Sequence, residues 1–422
     1  MRGVILKSMV VVIAIGSVPV MGSADSARRL GDKAPATGPD EKNSETTLLS
    51  ALRGGTTAVD LRYRYEFVAD EAFALDAHAS TLRTTLRYDT LKYHGFSAGV
   101  EVENVRPIGG ERYDNRGAGH LHNGRSGRPV VADPGLTEIN QATLRFTARP
   151  GSVVTFGRQE ILFDDQRFVG PVGWRQNQQS FDAARLDTDL LPRGRLTYAL
   201  LHNVLRVTGA VDPLTGHLLH ASFGTRGTGA LILYAHALDY ERDRHRSTTT
   251  FGVEITDERE LNVNTAFSYE VEAARQQGAF GNPTRLEAGY LHLAVAGRYR
   301  NVTVRAGWER LGGSPGRGQF NTPLATLHPF NGWADKFLVT PADGLDDVYV
   351  RAIGDVGRVR WTVSYHDFST VTGNARHGRE LDLEVVYRTA WDQQVAVSAA
   401  RYNAVAHSTD TTKVMVWTTF GF

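Results

Sequence analysis

From Thr57 onward, apolar and polar positions alternate along the chain. In TAVDLRYRYEFV, Val59, Leu61, Tyr63, Tyr65 and Phe67 share one parity, and Asp60, Arg62, Arg64 and Glu66 share the other. A period of two sustained over about ten residues predicts a strand with one apolar face and one charged face. The pattern returns at Leu82, Thr84, Leu86 and Tyr88 against Arg83, Thr85 and Arg87, and at Phe96, Ala98, Val100 and Val102 against Ser97, Glu101 and Glu103. It recurs at Val302, Val304, Ala306 and Trp308 against Thr303, Arg305 and Glu309, and at Val359, Trp361, Val363 and Tyr365 against Arg360, Thr362, Ser364 and His366. Helical spacing is nearly absent. The alternation predicts 18 strands, near 57–68, 80–90, 94–105, 137–148, 152–161, 179–187, 194–205, 217–225, 229–238, 248–257, 262–273, 286–298, 301–311, 347–355, 358–368, 379–388, 393–402 and 411–422. The pattern is weakest from the sixth to the ninth.

The connections carry a second signal. Short ones (ARPGS, TRGTG, YRN, GDVGR) alternate with long ones (106–136, 162–178, 274–285, 312–346), so short and long ends fall on opposite sides of the sheet. Strands of this length, with an apolar outer parity, a polar inner parity and loops of alternating length, are what a transmembrane antiparallel β-barrel requires. An all-β barrel of 18 strands is therefore expected over 55–422, with short periplasmic turns and long extracellular loops. An even count returns both ends of the barrel to the periplasm. The closing TKVMVWTTFGF sets Val414, Val416, Phe420 and Phe422 opposite Lys413 and ends on an aromatic residue, which resembles the terminal signal of outer-membrane proteins. A soluble propeller would explain neither the charges at alternate positions nor the segregated loops.

The N-terminus fits an envelope protein. Arg2 and Lys7 precede the apolar run MVVVIAIGSVPVM, and the small residues Gly22, Ser23 and Ala24 follow, so 1–24 reads as a secretory signal peptide. Residues 25–54, polar and rich in Pro, Gly and Ser, read as a flexible periplasmic segment. Cysteine is absent, which excludes a disulfide framework and a thiol nucleophile. A net charge of +1 gives no bulk field for nucleic acid.

If the apolar parity faces lipid, the other parity lines a hole, because a barrel this wide is not filled by its own wall side chains. That parity carries Arg62, Arg64, Arg83, Arg87, Arg145, Arg305, Arg351, Arg360, Arg388 and Lys413 against Asp60, Glu66, Glu101, Glu103, Glu309, Asp382 and Glu384, a modest basic excess. Arg and Lys rings favour anions, and the guanidinium fork suits carboxylates. The bland alternative for each arginine is a wall ion pair.

Catalytic signatures are missing: there is no G-x-S-x-G elbow, no H-E-x-x-H and no phosphate-cradling Gly loop. No enzyme is expected, and no cofactor. Asp343, Asp346 and Asp347 in PADGLDD supply oxygens of the kind a structural calcium takes, without EF-hand spacing. In GRQEILFDDQRFVGPVGWRQNQQSFD, residues 157–182, Asp164, Asp165, Arg167 and Arg175 break every simple period. The stretch is expected to be a loop folded over or into the pore, with a salt-bridge network among these four residues.

That stretch, with FNTPLATLHPFNGWADKF, TPADGLDD, SYHDFS and DTTKVMVWTTFGF, resembles the alginate export family of outer-membrane proteins, over most of the chain from about Leu49 to Phe422. The resemblance implies an 18-stranded barrel with an electropositive, arginine-lined pore for an anionic polysaccharide. It also implies that Arg158 in GRQ and Arg185 in FDAAR reach the constriction. The partners expected are that polysaccharide, the bilayer with its lipopolysaccharide, the outer-membrane assembly machinery and a periplasmic export complex. Passive, electrostatically guided diffusion is the expected mechanism. A general uptake porin for small anions or oligosaccharides is the alternative, and an outer-membrane enzyme the remote one.

Overall fold

The computed structural model describes residues 47–225, 229–391 and 393–422. The expected signal peptide and most of the expected flexible segment lie outside the described residues. The remainder of that segment begins with a short helix, α1 (Leu48–Arg53), whose N-cap Thr47 accepts a hydrogen bond from the Ser50 amide.

The barrel strands are β1 (Thr56–Asp70), β2 (Ala77–Asp89), β3 (Phe96–Pro107), β4 (Leu136–Arg149), β5 (Ser152–Gln159), β6 (Ser180–Thr188), β7 (Gly194–Leu205), β8 (Val211–Thr225) and β9 (Gly229–Tyr240). They continue with β10 (Thr248–Asn262), β11 (Thr265–Gly278), β12 (Glu287–Tyr299) and β13 (Val302–Leu311). A small hairpin, β14 (Gly313–Ser314) and β15 (Gly318–Gln319), stands apart. The wall then resumes with β16 (Leu345–Val356), β17 (Val359–Ser369), β18 (Arg376–Arg388), β19 (Gln394–Ala404) and β20 (Thr411–Gly421). Each wall strand pairs antiparallel with its sequence neighbours, and β1 pairs with both β2 and β20, so the 18-stranded sheet closes without an edge.

The alternation resolves as expected. On β1, Arg62, Arg64, Glu66 and Val68 are buried on the inside, while Tyr63 is exposed on the outer face. Leu86, Val100, Leu144, Phe156, Leu219, Phe251, Val295, Val350 and Val385 continue that exposed apolar surface around the barrel. Connections at one end span 108–135, 160–179 and 312–344, whereas those at the other end are as short as 150–151, 263–264, 300–301 and 357–358.

The strands that read weakly have a physical reason to do so. Leu201, Leu214, Leu218 and Leu238 point into the barrel and pack with Phe181, Ile161 and Val169, so β6 to β9 are apolar on both faces. A period of two cannot show where both faces want the same residue type. Strand β8 also begins six residues before the expected 217, running through Pro213; the sheet accommodates this proline beside a register shift between Leu201 and Asn203.

Candidate solute path in the barrel lumen

Two long loops turn inward and meet. The 160–179 loop buries Ile161, Phe163 and Val169 against the inner faces of β6 to β9. The 312–344 loop buries Phe320, Trp333 and Phe337 against Tyr290, Phe368 and Tyr402. They join through a parallel bridge between Val169 and Leu324, with Gly170 N donating to Leu324 O at 2.9 Å and Thr326 N to Gln166 O at 3.1 Å. Arg167 clamps the junction. Its Nε donates to Glu309 on β13 at 2.5 Å, its Nη2 to Asn331 at 3.0 Å, and it lies 4.9 Å over the Phe330 ring. Gly332, at φ 86°, sits against Glu380, where a Cβ would come within 2.5 Å of the carboxylate; only glycine fits. Glu380 in turn accepts the Ala334 amide at 2.6 Å, fixing the loop to β18.

The tip of the first loop occupies the basic part of the wall. Arg62 donates to the carbonyls of Gly173 (2.9 Å), Trp174 and Arg175 (3.5 Å), and Arg64 donates to the Trp174 carbonyl at 2.6 Å. The Trp174 indole stacks on His328 of the other loop at 3.6 Å between centroids, with the Arg175 guanidinium 4.0 Å and the Lys413 ammonium 5.3 Å from its ring. Around it runs a continuous ion network. Arg64 pairs with Glu66 (3.0 Å) and Asp133, Arg175 with Glu66 (3.3 Å) and Asp335 (3.4 Å), and Lys413 with Glu66 (3.2 Å) and Asp335.

Burial opposes the Asp335 charge, but Lys413 and then His328 outweigh it and hold the carboxyl well below its usual range. Burial likewise disfavours the Arg175 cation, which Glu66, Asp133 and Asp335 more than restore. For His328 burial prevails and lowers its pKa despite Asp335. The following run, Gln176 to Gln179, is polar yet buried because it threads the lumen: Gln176 Nε2 donates to Thr81 Oγ1 at 2.9 Å, Asn177 to Pro134 O at 3.0 Å and Gln179 to Gly170 O at 2.8 Å.

Toward the short-turn end Arg87, Arg145 and Arg185 are partly exposed. Arg87 and Arg145 share Asp89, at 2.5 and 3.5 Å, and Arg185 pairs with Asp187 at 2.8 Å, which also faces Arg195 at 3.6 Å. Their side chains retain 30, 35 and 24 % exposure respectively, so water reaches this row. Arg83 pairs with Asp60 at 2.7 Å, Arg305 with Glu270 at 3.0 Å and Arg360 with Asp355 at 2.9 Å. Arg351 donates to Ser364 at 2.9 Å and to the loop carbonyl of Pro329 at 3.3 Å.

Arg158 departs from expectation. It shares the outward alternation of Phe156, lies opposite Ala142 and Asp182, and pairs with Asp182 at 2.9 Å, so it is not at the constriction. The strand keeps its register through Gly157, and parity rather than motif decides where the side chain goes.

The basic excess expected for the lumen is also corrected. Glu254, Glu272, Asp347 and Glu380 are buried on the inner parity of β10 to β18 in addition to the acids counted from sequence, and Asp133 and Asp335 enter from loops. The basic groups instead concentrate on β1, β2, β4, β6 and β20. The three acids of PADGLDD do not converge: Asp346 takes Arg310 at 2.7 Å, Asp347 takes His366 at 3.0 Å, and Asp343 lies 3.7 Å from His377. Among the described residues no group of three side chains is placed to hold a metal ion.

Asp164 accepts from His220 at 2.7 Å, while Asp165 accepts the Arg167 amide at 2.9 Å. Burial, and after it the nearby Glu270, push the Asp165 carboxyl up to about 6. A carboxyl raised in the folded state binds its proton more tightly there than in a released loop. Its contribution to seating the loop is therefore present below the ordinary carboxylate value and is lost as pH rises through about 6. Current flicker from loop movement in planar bilayers should increase as pH rises across this value, and Asp165→Asn should flatten the dependence. A profile unchanged in the variant would assign the titration to another group.

Sequence reasoning missed Trp174, Trp333, Asp133, Asp335 and Asn331 as lumen residues. The signal available for the first two was the density of aromatic residues in loops long enough to enter the barrel.

The alginate export family model matches residues 55–310. No match is found among curated proteins. Among solved structures, the chain is similar to Pseudomonas aeruginosa OccK9 (OpdG), with 12 % identity, TM-score 0.69, and coverage of 88 % of this chain and 99 % of that one. It is similar to P. aeruginosa OpdK with vanillate, at 13 % identity and TM-score 0.68 over 88 and 99 % of the two chains. Acinetobacter baumannii OccAB2 gives 14 % identity and TM-score 0.68 over the same shares. At these identities the likeness is one of fold.

Proposed function

The chain belongs to the alginate export family, an outer-membrane β-barrel by its fold, and on that premise we propose that it is a channel for secretion of an anionic polysaccharide of the alginate type. The observation that supports this most is the row Arg87, Arg145 and Arg185 on alternate inner strands, whose guanidinium groups pair with Asp89, Glu101 and Asp187 yet stay open to water. Such a row offers a sliding anion successive, equivalent counter-ions. No single site then holds it, and transport needs only a gradient. Arg62, Arg64, Arg83, Arg305, Arg351, Arg360 and Lys413 extend the basic surface upward to the constriction. The 160–179 and 312–344 loops act as its gate, and a polymer passes once they withdraw. Entry at the short-turn end places a periplasmic export complex there, and the cleaved signal at 1–24 delivers the chain to the assembly machinery.

One observation favours a second reading. With the loops seated, Trp174 and Trp333 line a cavity of only about 20 Å3 inside the barrel, too small for a polymer; the structurally similar P. aeruginosa OpdK has been solved with vanillate. An uptake porin for small anions is that alternative.

Purified full-length barrel in planar bilayers should show an anion-selective reversal potential under a salt gradient, and replacing Arg87, Arg145 and Arg185 together by Gln should shift it toward cations. A wild-type pore selective for cations would refute the channel reading. Liposome swelling with graded oligouronates separates the two solute classes, since a porin gives a sharp size limit.

A further inference from the structure

On the outside of the barrel, the long-loop rim carries a second set of arginines. Arg310 on β13, Arg379 on β18 and Arg401 on β19 alternate with buried, inward residues and so turn to the outer face. Each has a carboxylate: Asp346 at 2.7 Å, Asp367 at 3.3 Å and Asp410 at 3.1 Å. Such pairing is the expected state, because a lone charge beside lipid is costly.

Strand β3 departs from that state. Its outer parity climbs from the exposed Val100 and Val102 through Asn104 to Arg106, one residue short of the strand's end. Apolar positions giving way to polar and then basic ones mark the level where hydrocarbon ends and head groups begin. Beyond Pro107 the chain still runs along β2: Ile108 N donates to Ser80 O at 2.7 Å, and Arg112 bridges His78. Two steps on β2 thus face four in the loop, and Gly109 and Gly110, at φ 76° and 95°, absorb the surplus as a bulge. The bulge leaves Tyr113 buried inside against Val68 and Ala79, and Arg112 exposed on the outer side with His78. Arg106 stands opposite Leu82, so the two arginine backbones are about 13 Å apart along β2 at the usual rise per residue. Arg128 comes to the same place, donating to the Asp76 carbonyl two residues before His78, and Ile108 lies exposed between. Among the described residues no carboxylate lies within ion-pair distance of Arg106, Arg112 or Arg128. Glu111, within the bulge, pairs with none of them.

We propose that Arg106, Arg112 and Arg128 bind the phosphorylated head group of lipopolysaccharide, with Ile108 against the upper part of an acyl chain. Long loops face outward in barrels of this kind, so this rim lies at the outer leaflet. A phosphate takes the guanidinium fork as a carboxylate does, and supplies the counter-charge that these arginines lack. The spacing of Arg106 and Arg112 suits a disaccharide phosphorylated at both ends, and an exposed Ile108 between them suits a lipid rather than a free anion. The site lies outside the lumen, so it goes beyond the channel reading and does not depend on which solute passes. It also bears on the constriction, because the same 108–135 loop sends Asp133 inward to Arg64. A lipid held outside steadies the segment that delivers that carboxylate.

The test titrates the full-length barrel in detergent with deep-rough lipopolysaccharide and with the same lipid stripped of its phosphates, bound lipid being counted by native mass spectrometry. Wild type should hold the phosphorylated form at least about ten-fold more tightly, the loss expected on removing a charged hydrogen-bond partner. The double variant Arg106→Gln, Arg112→Gln should lose that preference. The corresponding double Lys variant, which keeps the charge without the fork, should fall between the two. Arg379→Gln, on the same rim but already paired, should bind as wild type does. Heat-modifiable mobility and single-channel conductance equal to wild type show that each variant is folded. Equal retention of both lipid forms by wild type, or an undiminished preference in the double Gln variant, would overturn the site. Displacement of the lipid by inorganic phosphate would reduce it to a free-anion site, and displacement by oligouronates would assign the patch to an emerging polymer; either result also overturns the proposal.

Discussion

Excising residues 164–178 and bridging the gap with a short Gly/Ser linker should raise single-channel conductance several-fold. This segment carries the Trp174 tip, the carbonyls on Arg62 and Arg64, and the Val169 and Gly170 contacts that hold the second loop. It contains two acids, Asp164 and Asp165, and two arginines, Arg167 and Arg175, so its removal widens the bore without altering net charge. The barrel should survive, because wall closure depends on the ladder from β1 to β20 and not on the loop. Strands β6 to β9 would then present Leu201, Leu214 and Leu218 to water, and this costs stability in proportion to the apolar area uncovered. Heat-modifiable electrophoretic mobility reports folding, and bilayer recordings report the bore. Conductance equal to wild type in a folded variant would show that the loop leaves the open path unobstructed.

The wall was legible in the sequence because one physical rule governs it. A strand between lipid and water must alternate, and the alternation located every wall strand, including the burial of Arg62, Arg64 and Lys413. The rule failed wherever a third layer intervened. Strands β6 to β9 blurred because the 160–179 loop covers their inner face with apolar side chains. Arg158 was misplaced because a motif resemblance was preferred to its parity with Phe156. The lumen charge was overestimated because Asp133 and Asp335 arrive from loops, and no strand period locates a loop residue. The salt-bridge network expected among Asp164, Asp165, Arg167 and Arg175 does not form: Asp164 takes His220, Asp165 the Arg167 amide, and both arginines turn to acids outside the stretch. The partners of the two arginines, Glu309 and Glu66, lie on strands distant in sequence, and only the closed fold brings them to the stretch.

Arg167→Met should unseat both loops at once, and the size of the effect follows from what is left behind. Glu309 is buried and accepts from Arg167 at 2.5 Å, from Tyr290 at 2.8 Å and from Asn331 at 2.6 Å. Removing the only one of these that is cationic leaves a desolvated carboxylate with neutral donors, a defect costing about 3–5 kcal/mol. Arg167 joins the wall to both inward loops, through Glu309 on β13 and through Thr322 and Asn331 on the second loop, so the cost is charged to the seated arrangement. By the usual conversion the seated-to-released ratio falls by roughly two to nearly four orders of magnitude, enough to turn a closed constriction into one that flickers open. Glu309→Gln in the same background removes the stranded charge and should recover most of the loss, so the pair should be strongly non-additive in a double-mutant cycle read by open probability. Strict additivity would mean that the two side chains hold the gate independently, and the clamp would then have to be sought at the Glu380–Ala334 contact instead.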